Sequence, residues 1–263
     1  MDRQRIAMVV EFDGTLFHGW QRQDNASSAQ ATIEGALTRI EGVEGKLVAA
    51  GRTDSGVHAR ALLVHADVSR DRWQRSPRAY TQGLNQLLPE GVCVTGVRAV
   101  NQDFHARFDC IERRYRYQIW NRSTPSAIQR WRHWWVPRKV NLDELVTASQ
   151  CLIGAHDFSS FRAAGCQAAT ALREVRHISV QQQGWEIFID IRADAFLYHM
   201  VRNIVGSLVR VGTGGWSADK MAEVLMAEDR SQAAATAPAH GLYFTDAIYP
   251  DFSSSQLIGK EID

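Results

Sequence analysis

The segment Gly51-Arg52-Thr53-Asp54-Ser55-Gly56-Val57-His58-Ala59 gathers the residue types that do chemistry. Apolar stretches flank it, so a strand delivers a polar loop and a second strand leaves it. Arg52 and Asp54 are two residues apart and can both turn into one cleft. A neighbouring guanidinium favours the ionised carboxylate, which suits Asp54 to be a nucleophile or base and not a general acid. Gly51 and Gly56 permit close approach by a ligand or unusual dihedrals. By itself an Arg-x-Asp loop reads more readily as a structural ion pair stiffening a turn.

Two other motifs compete. Glu11-Phe12-Asp13-Gly14-Thr15-Leu16 resembles the signature of haloacid-dehalogenase phosphatases, in which two aspartates flank one residue before Gly-Thr and the first of them is the nucleophile. Glu11 stands there instead, one methylene too long, so Asp13-Gly14 reads as a turn after a strand. Gly212-Thr213-Gly214-Gly215 is glycine-rich but ends a helix and lacks a Walker lysine. The negative end of the helix dipole disfavours phosphate there, so it reads as a C-cap.

Charge is unevenly distributed. The formal net charge is +1, yet Arg98 to Lys139 holds ten basic and three acidic residues, and Ser217 to Asp263 three basic and eight acidic. Arginine dominates, 26 to 4 over lysine. Guanidinium groups grip phosphates in bidentate fashion and stack on bases, so the basic cluster favours a polyanion partner. No apolar run approaches a membrane span. The four cysteines, Cys93, Cys110, Cys151 and Cys166, form no C-x-x-C, which fits a reducing cytosol better than a zinc site or disulfide framework.

Periodicity places the elements. Strands are expected over Arg5 to Phe12, Lys46 to Gly51, Ala61 to Val68, Val92 to Val100 and Cys110 to Asn121. Others follow near Glu174 to Gln182, Trp185 to Arg192 and Leu242 to Tyr249. Ile111, Arg113, Tyr115, Tyr117 and Ile119 share one face of their strand. Helices are expected over Ala29 to Glu41, from Ser76 to about Leu88, from Asn141 to about Ile153, over Met200 to Val211, and over Ala218 to Ala227. The mixed order argues an α+β class, a mostly antiparallel sheet with helices packed against it. A division near residue 104 is expected, giving halves 1–104 and 105–250 and a loose tail, 251–263.

Several further segments agree with the Asp54 loop. They are Glu11-Phe12-Asp13-Gly14 with Gly19-Trp20-Gln21-Arg22-Gln23, Asp103-Phe104-His105-Ala106-Arg107-Phe108, and Arg113-Arg114-Tyr115-Arg116-Tyr117. Next come Asp157-Phe158 with Ser160-Phe161-Arg162-Ala163, and Ala193 with Ala195-Phe196. The last are His199-Met200-Val201-Arg202-Asn203-Ile204-Val205-Gly206 and Gly241-Leu242-Tyr243. In this order the chain resembles the bacterial TruA-type tRNA pseudouridine synthases along most of its length. Ser55 departs from the family's usual alanine, small for small.

The resemblance implies the pseudouridine synthase fold: two related halves sharing a mostly antiparallel sheet, with a central cleft. It implies conversion of uridine to pseudouridine at positions 38, 39 and 40 of the tRNA anticodon stem-loop, without cofactor or metal, in the cytoplasm. Asp54 matches the reactive aspartate, Arg52 an arginine linked to base flipping, and Tyr115 the tyrosine beside the flipped uracil. Arg202 is expected to pair with Asp54, and Leu242 to pack under the base. RNA contacts are expected at Arg72, Phe104, His105, Arg107, Phe108, Phe161, Arg162 and Gly165. His199 reads as a supporting or core histidine. A homodimer is implied, one tRNA contacting both protomers. The alternative is a non-catalytic RNA-binding protein or tRNA chaperone on the same fold, which would have been free to lose Asp54 or Tyr115.

Overall fold

The structure is a computed structural model that describes residues 2–260. Its chain forms two compact units. One runs to Arg113 and resumes at Phe244; the other is Arg114–Tyr243. This differs from the expected division at residue 104, because most of the last strand belongs with the first unit. Strand partners distant in sequence are what single-sequence periodicity does not carry.

In the first unit β1 (Arg3–Phe12) pairs antiparallel with β3 (His58–Ser69) and with β4 (Val92–Ala99). The short β2 (Val48–Ala49) pairs with β3, and β10 (Leu242–Ile248) lies on the side of β3 away from β1. Ile6 to Val10 are fully buried, as befits a strand covered on both faces. The register of β1 on β3 shifts between Val10 and Phe12, a bulge that turns the chain into the Asp13-Gly14 corner. Helix α1 (Ala29–Glu41) begins where Ser28 caps the N–H of Ala31 and ends at the left-handed Gly42. It buries Ile33, Ala36 and Leu37.

The helix expected from Ser76 to Leu88 is broken. α2 (Arg70–Arg75) precedes a 3-10 turn, Pro77–Tyr80, and α3 (Gln82–Leu87) follows. Tyr80 sits at the break, fully buried, its hydroxyl donating to Glu41 of α1 at 2.5 Å. Burying that ring sets the path of the chain here, overriding the local preference for one continuous helix.

In the second unit the strand order is β5 (Glu112–Trp120), β9 (Glu186–Ala193), β8 (Leu172–Gln183) and β7 (Gly154–Asp157), with β6 (Trp134–Trp135) parallel to β5. Asn141 caps α4 (Leu142–Ser149), accepting from Asp143 N–H at 3.1 Å. The apolar α5 (Met200–Gly212) buries Met200, Ile204, Val205, Leu208 and Val209, as expected. α6 is Lys220–Met226. The glycine-rich run after α5 is a C-cap, with Gly214 left-handed and its N–H donating to Val211. The class is α+β with mostly antiparallel pairing.

The segment expected to be a loose tail is held down as far as it is described. Ser254 is fully buried, and its hydroxyl oxygen lies within hydrogen-bond range of both Ala61 O, at 2.7 Å, and Asp246 Oδ1, at 2.9 Å. Gly259 N–H donates to Thr95 O at 3.0 Å, and a side chain at Gly96 would overlap the Leu257 carbonyl. The polar composition after Pro250 hides this docking, because the fully buried Ser254 meets its partner Ala61 from far back in the chain. Residues 261–263 lie outside the described residues. Ser254→Ala is expected to destabilise the chain by about 1–3 kcal/mol, the cost of stranding buried hydrogen-bond partners; an unchanged urea midpoint would contradict this.

Candidate active site and RNA-binding loops

Asp54 lies on the loop between β2 and β3. Asp54 O accepts from Val57 N–H at 3.1 Å, closing a turn whose Gly56 has φ +81°. A second segment braces this turn from behind. Trp20 N–H donates to Thr53 O at 3.1 Å. Gly19 has φ +93°, and a Cβ there would stand 2.8 Å from Thr53 O. Gly14 crosses so near Val57 that a side chain would overlap the Val57 carbonyl. Its N–H donates to the buried His58 Nδ1 at 3.1 Å. The Asp13-Gly14-Thr15 corner that looked like a phosphatase signature is therefore the backing of the Asp54 loop. Thr53 is buried, Asp54 half-buried and Arg52 exposed, so the strongly basic group faces solvent.

Arg113 connects this loop to the next. Its Nε donates to Ala50 O at 2.9 Å, immediately before Gly51. Its Nη1 and Nη2 donate to Cys110 O at 3.0 Å and Arg107 O at 2.6 Å. Periodicity puts Arg113 on one face of β5 with Tyr115 and Tyr117 but does not reveal this work. A guanidinium can serve three carbonyls at once because its five donors form a rigid fork.

The loop carrying Phe104 to Phe108 is fastened by side chains on both flanks. His65 Nδ1 accepts from Ala106 N–H at 3.0 Å, and Tyr249 OH donates to Ala106 O at 2.6 Å. His105 Nδ1 accepts from the N–H groups of Arg107 and Phe108 at 3.2 and 3.1 Å. Phe104 packs half-buried against Tyr249 and Phe252. Phe108, by contrast, is 76% exposed and lies flat on His105, with ring centroids 4.2 Å apart. Arg107 is exposed beside it, 5.8 Å from the ring centroid. Thus Phe108 and Arg107 present a stacking face and a charge, while Phe104 anchors the loop. Arg72 is exposed on α2, beyond the end of β3 opposite to the Asp54 turn.

The second unit carries the other expected residues. Tyr115 on β5 is buried, edge-on to Phe196 with centroids 5.0 Å apart. Arg202 occupies the first turn of α5 and donates from Nε to Ala237 O at 2.8 Å. Ala237 N–H returns a bond to Arg202 O at 3.1 Å. His199, left-handed at φ 61°, precedes α5 and packs on Tyr198. Leu242 is buried at the start of β10. It follows Gly241, where a Cβ would stand 2.7 Å from the Tyr117 ring, and Tyr117 OH donates to Pro238 O at 2.7 Å. Phe161 is fully buried, whereas Arg162 and Gly165 line a surface cavity.

Residues 8–109 and 148–250 match the sequence profile of a family described as tRNA pseudouridine synthase. The chain belongs to that family. Over 247 residues it is 47% identical to tRNA pseudouridine synthase A of Shewanella amazonensis, covering 94% of both chains. Over 260 residues it is 46% identical to that of Blochmanniella pennsylvanica, covering 98% of both. The Hydrogenovibrio crunogenus protein of the same name is 45% identical over 246 residues, 94% of this chain and 93% of its own. Among the described residues, no cluster of three or more His, Cys, Asp or Glu could hold a metal ion, and no helix is long and apolar enough to cross a membrane.

One group that anchors the loop of Phe104 to Phe108 titrates unusually. Burial, then the nearby charges of Arg5 and His105, lower the His65 pKa to about 4. Between roughly pH 6.5 and pH 4 the unfolded chain binds a proton that the folded chain refuses, so stability rises with pH across that window. This contribution is complete above about pH 6.5 and is lost as pH falls to 4, a loss of roughly 3 kcal/mol. Urea titrations at pH 7 and pH 4.5 should show it. His65→Gln, which keeps an acceptor without the titration, should lose less; equal losses would assign the effect elsewhere.

Proposed function

We propose that the protein isomerises uridine to pseudouridine at positions 38, 39 and 40 of the tRNA anticodon stem-loop. The observation that carries this reading is the Asp54 turn. Its carboxylate stands on backbone braced by Gly14, Gly19 and Trp20, beside the loop that exposes Arg107 and Phe108. Rigid support of one carboxylate next to a stacking, cationic surface suits chemistry on a nucleotide taken out of its stem.

In this reading Arg52 enters the stack left by the flipped uridine and holds phosphate. Tyr115 stacks on the uracil and Leu242 packs beneath it. Arg202, whose Nε donates to Ala237 O, pairs with Asp54 and orients its carboxylate. Asp54 acts as the nucleophile. The C1′–N1 bond breaks and C1′–C5 forms; C5 loses a proton and N1 gains one, so the base is isomerised with no net redox change and no cofactor. Arg72, His105, Arg107, Phe108, Arg162 and Gly165 contact RNA, with Phe104 and Phe161 fixing their loops. Recognition is by backbone and shape. The working form is a cytoplasmic homodimer whose tRNA touches both protomers.

Asp54→Asn should bind tRNA as the parent does and release no tritium from C5-labelled uridine in tRNA. Parental release would remove Asp54 from the chemistry. Gly19→Ala should leave the chain folded by circular dichroism yet slow pseudouridine formation by about 10²-fold, since a displacement on the order of 1 Å at a reacting group costs that much. A near-parental rate would show that the brace does not set the position of Asp54.

A further inference from the structure

Arg230 lies in a stretch that sequence reading passed over, the segment from Ser217 onward with its acidic excess. In the fold it lines a cavity of about 420 Å³ with Arg162, Ser159, Gly165 and Cys166. Both guanidiniums are held in place by neutral acceptors. Arg162 Nη2 donates to Cys166 O at 3.0 Å and Ala168 O at 2.8 Å. Arg230 Nη1 donates to Ala233 O at 3.2 Å, and its Nη2 to Asn203 Oδ1 at 3.2 Å and Thr236 Oγ1 at 3.1 Å. Asn203, fully buried, also takes the Thr236 hydroxyl at 2.7 Å and donates to Phe161 O at 2.8 Å. One amide therefore fixes Arg230 and the residue before Arg162 together.

Among the described residues neither guanidinium has a carboxylate at ion-pair distance. The nearest acids in sequence do not line the cavity. Asp157 accepts from Ser159 N–H at 2.8 Å and Asp229 from Ser231 N–H at 2.8 Å, each capping its own turn. Two partly buried cations facing one cavity without a counter-ion carry a desolvation cost that carbonyls offset in part and an anion would offset further. Among the described residues each retains donors that bond no protein acceptor: Nε and Nη1 of Arg162, Nε of Arg230. Gly165 has φ +80° and open space beside its Cα, which lets a ligand come close to the backbone. The thiol of Cys166 senses the same field. Burial would raise its pKa, but backbone hydrogen bonds involving Tyr198 and Ala168, and the Arg162 guanidinium, outweigh that and lower it.

We infer that this cavity binds a phosphodiester of the RNA backbone, held jointly by Arg162 and Arg230. The inference rests on the reading that tRNA is the substrate, and adds Arg230 and a defined phosphate seat to it. The guanidiniums are fixed before RNA arrives, so little side-chain entropy is lost on binding. Asn203 and Thr236 are positioning residues for that seat.

The test is alkylation of the whole chain with N-ethylmaleimide, read cysteine by cysteine by peptide mass spectrometry. Saturating unmodified tRNA should slow labelling of Cys166 at least tenfold and leave Cys93 and Cys151 unchanged; millimolar inorganic phosphate should protect far less. In parallel, Arg230→Gln should weaken tRNA binding about tenfold near 0.1 M salt. It should also lower the slope of log Kd against log salt by about one, as loss of a single phosphate contact requires, while Arg230→Lys keeps the slope. Undiminished labelling of Cys166 in a sample that binds tRNA and forms pseudouridine would overturn the phosphate seat alone. Equal protection by inorganic phosphate would overturn the RNA assignment of the cavity. Failure to bind tRNA or form pseudouridine in the parent would overturn the functional reading itself.

Discussion

The first unit is organised around two places where backbone touches backbone. Gly14 lies against Val57 and Gly19 against Thr53, at separations that no side chain tolerates. A carboxylate that must meet one atom of a large substrate needs support that does not yield. Main-chain contact gives it, since a carbonyl in a hydrogen-bonded turn has no rotamers to lose. The bulge in β1, the Asp13 corner and the hydrogen bond from Gly14 to His58 all follow from bringing that strand end behind the Asp54 turn.

Arginine in this protein has two physical uses. Arg113 spends its donors on Ala50, Cys110 and Arg107 and so ties the Asp54 turn to the exposed loop of Arg107 and Phe108. Arg162 and Arg230 spend part of theirs on the carbonyls of Cys166, Ala168 and Ala233 and line the cavity where an anion fits. Composition does not separate these uses: the charge of a stapling arginine and of a phosphate-binding one look alike in sequence. Their hydrogen-bond partners separate them. The same applies to the aromatic pair Phe104 and Phe108, four residues apart in one motif, one packed on Tyr249 and Phe252 and the other open to solvent.

Much of the architecture was legible because it is local. The helix start at Asn141, the period of β5 and the apolar faces of α1 and α5 each depend on residues within a few positions of one another. The broken helix around Tyr80, the return of the last strand to the first unit and the docking of the segment through Ser254 depend on partners from about 40 to nearly 200 residues away. No local pattern records such partners. Asn203 was hidden for a related reason, since a polar residue inside an apolar helix gives no sign of whether it faces water or, as here, three fixed hydrogen-bonding groups, at Phe161, Arg230 and Thr236.

The sequence by itself determined the residue types that can react, the α+β class, the basic clustering and the family, because motifs in a fixed order survive without coordinates. The tertiary structure decided what each motif does. The phosphatase-like corner became a brace, Phe104 an anchor, Arg113 a staple, and Arg230, from an acidic stretch, half of an anion-binding cavity. The physical reason is that reactivity is a property of a side chain, whereas position, burial and the spending of hydrogen-bond donors are properties of the whole chain folded upon itself.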